Sequence, residues 1–447
     1  MIHSFLLLYP EVESVHQRFM NNYSADDLLK LQERGLRWTI AHVYEHSPFY
    51  RQRFKSAGIE PSDIQGVGDL AKLPFTAADD LRAGYPFPLL SVPYEKVVRI
   101  HASSGTTGKK KVMAYTEKDL ADWGHFFARC YEMAGLTVSD RVQIAVGYGL
   151  WTAGAGFQRG CELFGAMAIP TGPGNVDMQC ELAIDFQSTV LCCTASMGLL
   201  MAEEVHRRGI RDRLNLRKVI LGSERSSRAM LQRIKELLGV DDVFDIPGMT
   251  ELYGPGTGLD CSCHQGIHYW SDYYLVEIID PHTLEPVPSG TMGEMVVTTL
   301  RKEAAPLIRY RTRDVSRLLP GQCPCGSPFP RHDRILGRTD MVFKYRAVNV
   351  YPGQIDELLS LFPQVSSEYQ IFLDRRPDGR DEMLIKVEAN PSAGEVDCSR
   401  TATAIVNEIR RKIMVTCRVE VVAYQSLPRT ERKSERVIDH RYDDQEL

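Results

Sequence analysis

Apolar and polar residues alternate through the middle of the chain in a pattern that predicts strands separated by helices. Short apolar runs with β-branched residues are separated by segments in which apolar residues have helical spacing. The predicted strands are 142–146, 167–170, 189–193, 218–222 and 243–246, and the predicted helices lie near 116–133, 177–186, 196–207 and 226–238. This repetition predicts a parallel sheet with helices on both faces. In such sheets, ligands bind beyond the carboxyl ends of the strands.

The pattern changes on both sides of this region. Residues 24–45 open with Ser24 and Asp27 at the spacing of a capping box, and they predict an amphipathic helix. The apolar stripe predicted for this helix consists of Leu29, Leu36, Ile40 and Val43. Further along the chain, the spacing of apolar residues favours antiparallel strands at 274–279 and 294–299.

Beyond Asp340, predicted strands combine with helices near 352–361 and 399–415, which is typical of a small α+β domain. We therefore predict an α/β protein with two domains. A large N-terminal domain of layered sheets and helices comprises residues 1–340, and a small α+β domain comprises residues 341–447.

Composition places the chain among ordinary globular proteins, since 43% of its 447 residues are hydrophobic and 25% are charged. The net charge of −5 gives no reason to expect nucleic acid as a partner. No apolar run approaches the roughly 20 residues that span a bilayer, and the amino terminus lacks the basic segment and cleavage site of a signal peptide. The odd number of cysteines, 11, fits reduced thiols, so we expect a cytoplasmic protein without a membrane segment.

A predicted strand at 97–100 leads into a segment whose composition suits phosphate binding. The segment has two glycines, four hydroxyl residues and three lysines, namely Ser103, Ser104, Gly105, Thr106, Thr107, Gly108, Lys109, Lys110 and Lys111. Glycines let backbone N–H groups face a ligand, hydroxyls add donors, and ammonium groups neutralise phosphate charge. The spacing is not that of a Walker A loop, because only two residues separate Gly105 from Gly108. From these residues alone, a phosphate clamp and a polar surface loop both stay open.

Later segments supply the other groups that a site for ATP and magnesium needs. These segments are 248–251, 310–314, 337–340 and 427–433. Thr250 and Glu251 follow a predicted strand and offer a hydroxyl and a carboxylate, which are ligands that Mg²⁺ accepts. Asp314 lies beside arginines and suits ribose hydroxyls, and Lys433 lies in a C-terminal loop. Each segment alone is explained better by surface charge or turn chemistry, and only their joint occurrence is specific.

Together and in this order, the segments resemble the motifs of the adenylate-forming superfamily of acyl- and aryl-CoA synthetases, luciferases and peptide-synthetase adenylation domains. The likeness is greatest to the phenylacetate-CoA ligase branch, on the motifs at 103–108, 310–314 and 346–355. It extends from about residue 10 to 440. The resemblance implies a large N-terminal domain, a small mobile C-terminal domain and an active site between them. It also implies ATP, Mg²⁺ and CoA as cofactors.

The resemblance assigns roles in two half-reactions. A carboxylate first attacks the α-phosphate of ATP to give an acyl-adenylate and pyrophosphate, and a thiol then gives a thioester and AMP. The loop at 103–111 would hold the phosphates, while Glu251 with Thr250 would serve the magnesium ion. Asp314 would bind ribose, and Lys433 would bridge the carboxylate and the α-phosphate. The further residues assigned to the nucleotide are Ser223, Glu224, Asp245, Arg338 and Asp340.

Four residues depart from the family pattern, namely Lys110, Pro247, Ala347 and Arg432, and two of them affect the expected binding sites. Pro247 stands where relatives have a tyrosine that stacks on adenine, so stacking is weaker or comes from elsewhere. Ala347 replaces a glycine that in relatives borders the path of pantetheine, so its methyl group narrows the expected CoA path. For this reason a carrier protein stays open as an alternative partner that supplies the thiol.

Four cysteines form two Cys-x-Cys pairs, at 261–263 and 323–325, with His264 and His268 near the first pair. Thiolates and imidazoles are the usual ligands of structural zinc, but separated pairs need not meet in the fold. The residues alone therefore leave zinc and reduced surface thiols open. The resemblance implies a structural zinc ion held by Cys261, His268, Cys323 and Cys325.

An aromatic, glycine-rich segment after the strand at 142–146 is the candidate acid pocket. Its predicted lining residues are Tyr148, Gly149, Trp151 and Ala153. Such walls suit a flat aromatic carboxylic acid, so phenylacetate, benzoate and aminobenzoates such as anthranilate stay open, with a slight preference for a ring-substituted benzoate. The alternative to an enzyme is a protein that binds a nucleotide and zinc without catalysis. The sequence also leaves open whether the protein forms a homodimer.

Overall fold

The structure is a computed structural model that describes residues 18–103, 110–224, 226, 228–339, 343–345, 348–376, 380–428 and 436–441. The first elements are α1 (Ala25–His46), α2 (Pro48–Ser56), α3 (Ala78–Ala83), β1 (Arg99–Ala102) and β2 (Val112–Tyr115), with 3₁₀ turns at Pro61–Asp63, Val67–Lys72 and Tyr94–Lys96. The strand predicted at 97–100 therefore lies at Arg99–Ala102.

The predicted capping box of α1 is confirmed, because the Ser24 side chain accepts a hydrogen bond from the Asp27 backbone N–H. One member of the predicted stripe is wrong. Leu29 is 46% exposed, and its neighbour Leu28 is buried together with Leu36. An ideal period of 3.6 residues places Leu29 on the face of Leu36 and Ile40, so the burial of Leu28 reflects its packing in the core cluster at this end of the helix and not the helical period.

The central region contains a five-stranded parallel sheet. Its elements are α4 (Glu117–Met133), β3 (Arg141–Ala145), α5 (Ala153–Phe164), β4 (Met167–Ile169), α6 (Val176–Asp185), β5 (Val190–Thr194), α7 (Ala195–Arg208), β6 (Lys218–Gly222), α8 (Arg228–Leu238) and β7 (Asp242–Ile246), with a 3₁₀ turn at Arg211–Arg213. The strand order is β4-β3-β5-β6-β7, and each neighbouring pair is parallel.

Helices cover both faces of this sheet, as the sequence pattern predicts. Ile144 and Cys192 belong to the core cluster that also contains Phe127 of α4. Leu191 and Cys193 belong to the cluster on the other face, which includes residues of α6, α7 and α8. Successive side chains of a strand point to opposite faces, so each buried strand serves two cores.

The next region consists of antiparallel sheets. Its strands are β8 (Gly248–Met249), β9 (Gly254–Pro255), β10 (Gly258–Asp260), β11 (Ile267–Tyr269), β12 (Tyr274–Ile279), β13 (Gly293–Thr299), β14 (Tyr310–Ser316), β15 (Leu318–Leu319), β16 (Arg331–His332) and β17 (Gly337–Arg338). One sheet has the order β12-β13-β14-β17, and a second has the order β10-β11-β16-β15. The antiparallel pairing predicted for 274–279 and 294–299 is confirmed.

The C-terminal region has its own sheet and core. Its elements are β18 (Phe343–Tyr345), β19 (Val348–Val350), α9 (Pro352–Leu359), β20 (Val365–Arg375), β21 (Asp381–Ala389), α10 (Cys398–Ile413), β22 (Arg418–Val422) and β23 (Val437–Asp439), with a 3₁₀ turn at Pro391–Ala393. The strand order is β22-β21-β20-β23. Ile371, Ile385 and Ile409 pack in a cluster separate from those of the central sheet. The predicted α/β fold class is confirmed, while the boundary at Asp340 lies outside the described residues and stays a prediction.

Among the described residues, none of the helices is both long enough and apolar enough to cross a bilayer.

An ionic bridge joins the edge of the parallel sheet to the antiparallel region. His264 donates its two ring N–H groups to Asp242 of β7, at 2.9 Å, and to Asp260 of β10, at 2.7 Å. The hydrogen bonds to Asp242 and Asp260 raise the pKa of His264 from 6.5 to about 9. The bridge therefore favours the imidazolium form in the folded protein.

We predict that His264 adds a pH-dependent contribution to stability. Because its pKa is higher in the folded state, the contribution is complete below about pH 6.5 and is lost as the pH rises through about 9. Unfolding by denaturant between pH 6 and 9.5 should give a smaller difference between the wild type and His264→Gln at high pH. A difference that is constant across this range would contradict the prediction.

Candidate active site

The two strands that flank the phosphate-loop segment bring its ends together. β1 and β2 are antiparallel, with Ala102 opposite Val112. The Ser103 N–H donates to the Lys111 carbonyl at 3.0 Å, and the Lys111 N–H lies 3.4 Å from the Ser103 hydroxyl. The two ends of the segment, Ser103 and Lys111, therefore lie side by side. Ser104, Gly105, Thr106, Thr107 and Gly108 lie outside the described residues, so their binding of phosphate stays a prediction.

Glu251 is a buried carboxylate at the base of this loop. The Lys111 ammonium pairs with it, and the Tyr310 hydroxyl donates to it at 3.1 Å. Burial is the largest single influence and opposes its charge, but the Lys111 ammonium, a backbone hydrogen bond and the Tyr310 hydroxyl together outweigh burial and lower the pKa of Glu251. The site thus keeps an ionised oxygen ligand in a place where water is scarce, which suits a hard cation such as Mg²⁺.

The backbone that carries Glu251 is held from the side by buried polar groups. The Tyr115 hydroxyl lies 3.2 Å from the Thr250 carbonyl and 3.0 Å from the Tyr253 carbonyl. The Lys302 ammonium donates to the Glu251 carbonyl at 3.0 Å. These contacts restrict the turn after β8 and so orient the carboxylate.

Lys302 is a residue of this site that sequence reasoning missed. Its ammonium is buried and lies over the rings of Tyr115, at 4.9 Å, and Tyr253, at 4.8 Å. Burial lowers its pKa to about 8. In the sequence it stands between Arg301 and Glu303, a charged triplet that is typical of an exposed turn. No local signal distinguishes it.

The start of α4 explains why the segment with Lys302 turns inward. Thr116 caps this helix by accepting from the Asp119 N–H. The Asp119 carboxylate then accepts from the backbone N–H groups of Glu303, at 2.7 Å, and Ala304, at 2.9 Å. One buried acid thus fixes both the helix start and the turn that delivers Lys302.

Strand β14 connects Glu251 to the predicted ribose site. Tyr310, which contacts Glu251, begins this strand, and Asp314 lies four residues further along it. Asp314 is opposite Arg338 of β17, and the Arg338 guanidinium lies 3.5 Å from the Asp314 carboxylate. The fold therefore brings together a carboxylate and a guanidinium that are both assigned to the nucleotide. Asp340 lies outside the described residues.

The remaining residues assigned to the nucleotide lie near the carboxyl edge of the parallel sheet. Asp245 is in β7, and Ser223 follows β6 with a left-handed φ of 71°. The Glu224 carboxylate accepts from the Ser196 N–H at 2.8 Å and from the Ser196 hydroxyl at 2.6 Å. Ser196 is in the first turn of α7, where the helix dipole favours a negative charge.

The candidate acid pocket is tied to the phosphate-loop strand. The Leu150 carbonyl accepts from the Ala102 N–H at 2.8 Å and lies 3.2 Å from the Nδ1 atom of His101. Gly149 has a φ of 84°, which glycine adopts readily, and Ala153 is buried at the start of α5. This backbone contact places the predicted pocket segment next to the entrance of the loop.

Glycines make room for the two aromatic rings of this segment. A Cβ atom at Gly154 would lie 2.6 Å from the Tyr148 ring, and one at Gly147 would lie 2.6 Å from the Trp151 ring. Both rings are partly buried. Close packing on glycine fixes flat surfaces in place, which is the property that a pocket for a planar acid needs.

The two Cys-x-Cys pairs meet in the fold. Cys261, His268, Cys323 and Cys325 place one ligand atom each within 4.8 Å of one another. The sulfur atoms of Cys261 and Cys323 are 3.6 Å apart, and the Cys325 sulfur lies 3.3 Å from Nε2 of His268. Nδ1 of His268 donates to the Phe329 carbonyl, which leaves Nε2 to face the thiols. His264 is directed away, toward its two aspartates.

Lys433 and Ala347 lie outside the described residues, so their roles stay predictions. The residues that flank the segment with Lys433 are nevertheless anchored to the C-terminal sheet. The Leu427 N–H donates to Glu388 of β21 at 2.8 Å. The Arg436 guanidinium donates to both carboxylate oxygens of Glu368 in β20, at 3.1 and 3.2 Å.

We predict strong energetic coupling between Lys111 and Glu251. Lys111→Met leaves a buried carboxylate without its cation, and this should cost about 3 kcal/mol of unfolding free energy. Glu251→Gln should recover most of that loss in the double variant. Denaturant unfolding of the wild type, both single variants and the double variant measures the coupling. Single-variant losses that simply add would contradict the ion pair.

Comparison with protein families agrees with this geometry. The sequence model of the AMP-binding enzyme family matches residues 33–300, and that of the AMP-binding enzyme C-terminal domain matches residues 347–441. The chain is 40% identical to the phenylacetate–coenzyme A ligase of Escherichia coli strain K12 over 425 residues, which cover 94% of this chain and 96% of the relative. It is 38% identical to that of Thermus thermophilus over 454 residues, covering 98% of this chain and 100% of the relative.

Solved structures of a 2-hydroxyisobutyryl-CoA ligase are similar over nearly the whole chain, with 26% sequence identity. In the postadenylation state with R3-HIB-AMP the TM-score is 0.86, covering 98% of this chain and 95% of that one. In the thioesterification state with 2-HIB-AMP and CoA it is 0.69, covering 97% and 94%. The chain therefore belongs to the AMP-binding enzyme family of the adenylate-forming superfamily, and it is an AMP-forming acid–CoA ligase.

Proposed function

We propose that this chain joins an aromatic carboxylic acid to CoA at the expense of ATP, with phenylacetate as the first candidate acid. The observation that carries the proposal is the ionised, buried Glu251 at the base of the phosphate loop, which contacts Tyr310 of the strand that carries Asp314. The curated relatives favour phenylacetate over the ring-substituted benzoate that the pocket sequence suggests. The aromatic rings of Tyr148 and Trp151 are compatible with either acid.

In the first half-reaction, a carboxylate oxygen attacks the α-phosphorus, and the bond to pyrophosphate breaks. Positioning and charge stabilisation supply most of the catalysis in such phosphate chemistry. When bound, Mg²⁺ would neutralise charge on the phosphates. Glu251 would be one of its ligands, because its carboxylate is ionised. Lys111 and the loop residues would hold the β- and γ-phosphates. Asp314 would hold the ribose, and Arg338 would limit the movement of the Asp314 side chain.

Lys433 would contact the substrate carboxylate and the α-phosphate in this step. Its ammonium would lower repulsion between the two anionic groups. In the second half-reaction, the thiol sulfur attacks the acyl carbon, the thioester forms, and AMP leaves. Ala347 would border the path of the thiol group, and a carrier protein is the alternative donor of that thiol.

Pyrophosphate release tests this function. With ATP and Mg²⁺, we expect turnover with phenylacetate to exceed that with benzoate or anthranilate, and a CoA thioester to form when CoA is added. Glu251→Gln should lower adenylation by roughly 100-fold or more, because it removes the charge that holds the metal. Glu285→Gln, at an exposed position, is the matched control and should keep full activity.

Three outcomes would overturn parts of the proposal. Absence of pyrophosphate release with every acid would exclude the ligase activity. Faster turnover with benzoate or anthranilate would exclude phenylacetate as the preferred acid. Adenylate formation without a CoA thioester would favour a carrier protein as the thiol donor.

We also propose that Cys261, His268, Cys323 and Cys325 bind a structural zinc ion. Tetrahedral zinc sites with thiolate and imidazole ligands require the ligand atoms to lie a few ångströms apart, as they do here. Burial lowers the pKa of His268, which favours the neutral imidazole that binds metals. The ion would pin the start of the β10–β11 turn to the segment before β16.

Metal analysis tests the zinc site. Protein purified without chelator should contain about one zinc ion per chain. Cys325→Ser should lower the zinc content and the melting temperature, because it removes a ligand. Cys398→Ser is the control, since Cys398 is also exposed but lies outside the cluster. Zinc-free wild-type protein, or equal effects of both variants, would contradict the proposal.

A further inference from the structure

An arginine of the large domain reaches across to the C-terminal domain. Arg233 is in α8, and its guanidinium donates to the Tyr424 hydroxyl at 2.8 Å. A second donor of the same group lies 3.4 Å from the Asn390 side-chain oxygen. Asn390 follows β21 and Tyr424 follows β22, so one side chain contacts two loops of the C-terminal sheet.

The surroundings of Arg233 strengthen this contact. The guanidinium carbon lies 5.1 Å from the centre of the Tyr424 ring, within the range of a cation–π interaction. The Glu203 carboxylate of α7 lies 3.5 Å from the guanidinium, and the side chains of Arg233 and Glu203 are only 12% and 7% exposed. Glu203 therefore holds the arginine from the large domain, and Tyr424 forms side-chain hydrogen bonds with both Arg233 and Glu203. Reduced access to water makes such interactions stronger than they are on an open surface.

The position of Tyr424 in the chain connects this contact to the segment that carries Lys433. Tyr424 comes shortly before Leu427, whose N–H is fixed to Glu388, and the segment that carries Lys433 begins just beyond. Asn390 is in turn held by its N–H, which donates to the Gln364 carbonyl at 2.9 Å. The arginine thus restrains the C-terminal domain at the strand end that leads toward Lys433.

The arrangement of the domains indicates when the contact exists. The chain superposes better on the 2-hydroxyisobutyryl-CoA ligase in its postadenylation state, at a TM-score of 0.86, than in its thioesterification state, at 0.69. Sequence identity is 26% in both comparisons, so the difference reflects the conformation. The contact of Arg233 with Tyr424 is therefore formed in a domain arrangement that resembles the postadenylation state more than the thioesterification state.

We infer that Arg233 is a positioning residue for adenylation, which holds the C-terminal domain through Tyr424 and must release it before the thioester forms. The inference rests on the proposed ligase function. A contact made in only one of two domain arrangements shifts their populations by its own free energy. Its loss should therefore impair one half-reaction and spare the other.

Separate assays of the two half-reactions test the inference. Arg233→Ala should lower the rate of pyrophosphate release with phenylacetate roughly tenfold, the scale of one cation–π contact plus one hydrogen bond. Thioester formation from chemically prepared phenylacetyl-adenylate and CoA should be unchanged or faster. Arg233→Lys should restore part of the adenylation rate. Tyr424→Phe, which removes only the hydroxyl, should give a smaller change in the same direction.

Gln232→Ala is the matched control, because Gln232 is exposed on the same helix and bonds to Glu236 on that helix. It should leave both half-reactions at wild-type rates. Equal loss of both half-reactions in Arg233→Ala and Tyr424→Phe, or no loss in either, would overturn the inference. A wild-type protein that is inactive in both assays would instead overturn the proposed function.

Discussion

The burial of one charged carboxylate organises the candidate site. Glu251 is 4% exposed, and an isolated charge at such a depth is costly to the folded state. The protein offsets this cost with the Lys111 ammonium and the Tyr310 hydroxyl. Lys111 directly precedes β2 and Tyr310 begins β14, so the carboxylate joins the end of the phosphate-loop segment to the strand that carries Asp314. Lys302 adds a second, fully buried cation that holds the backbone of Glu251 and not its carboxylate.

The ion pair between Lys111 and Glu251 also bears on nucleotide binding. Lys111 compensates the charge of Glu251, so the protein itself keeps the carboxylate ionised and in place at this position. Lys111 and a magnesium ion would be alternative partners for the carboxylate oxygen atoms of Glu251. Exchange between them would place the ammonium at the base of the loop, next to the phosphates.

The contacts of Arg233 that hold the C-terminal domain against the large domain are weaker and more local than those around Glu251. Arg233 meets Tyr424 and Asn390 through a few polar atoms, whereas each domain has its own apolar core. Interfaces of this kind can open without loss of either core, which suits a domain that has to serve two half-reactions. The Cys261, His268, Cys323 and Cys325 cluster, by contrast, links segments within the large domain.

The sequence by itself determined the parallel sheet, the capped first helix and the chemical classes of the site residues, because each of these leaves a local pattern. Period, capping residues and ligand type are properties of short segments, and the structure departs from them only in details such as Leu28 in place of Leu29. Only the tertiary structure decided that Lys111 meets Glu251, that Lys302 turns inward and that Arg233 meets Tyr424. Those pairs join residues far apart in the chain, and their approach depends on how the sheets pack and on which charges are buried together. No local pattern carries that information, so Lys302 and Arg233 look like ordinary surface charges until the chain is folded.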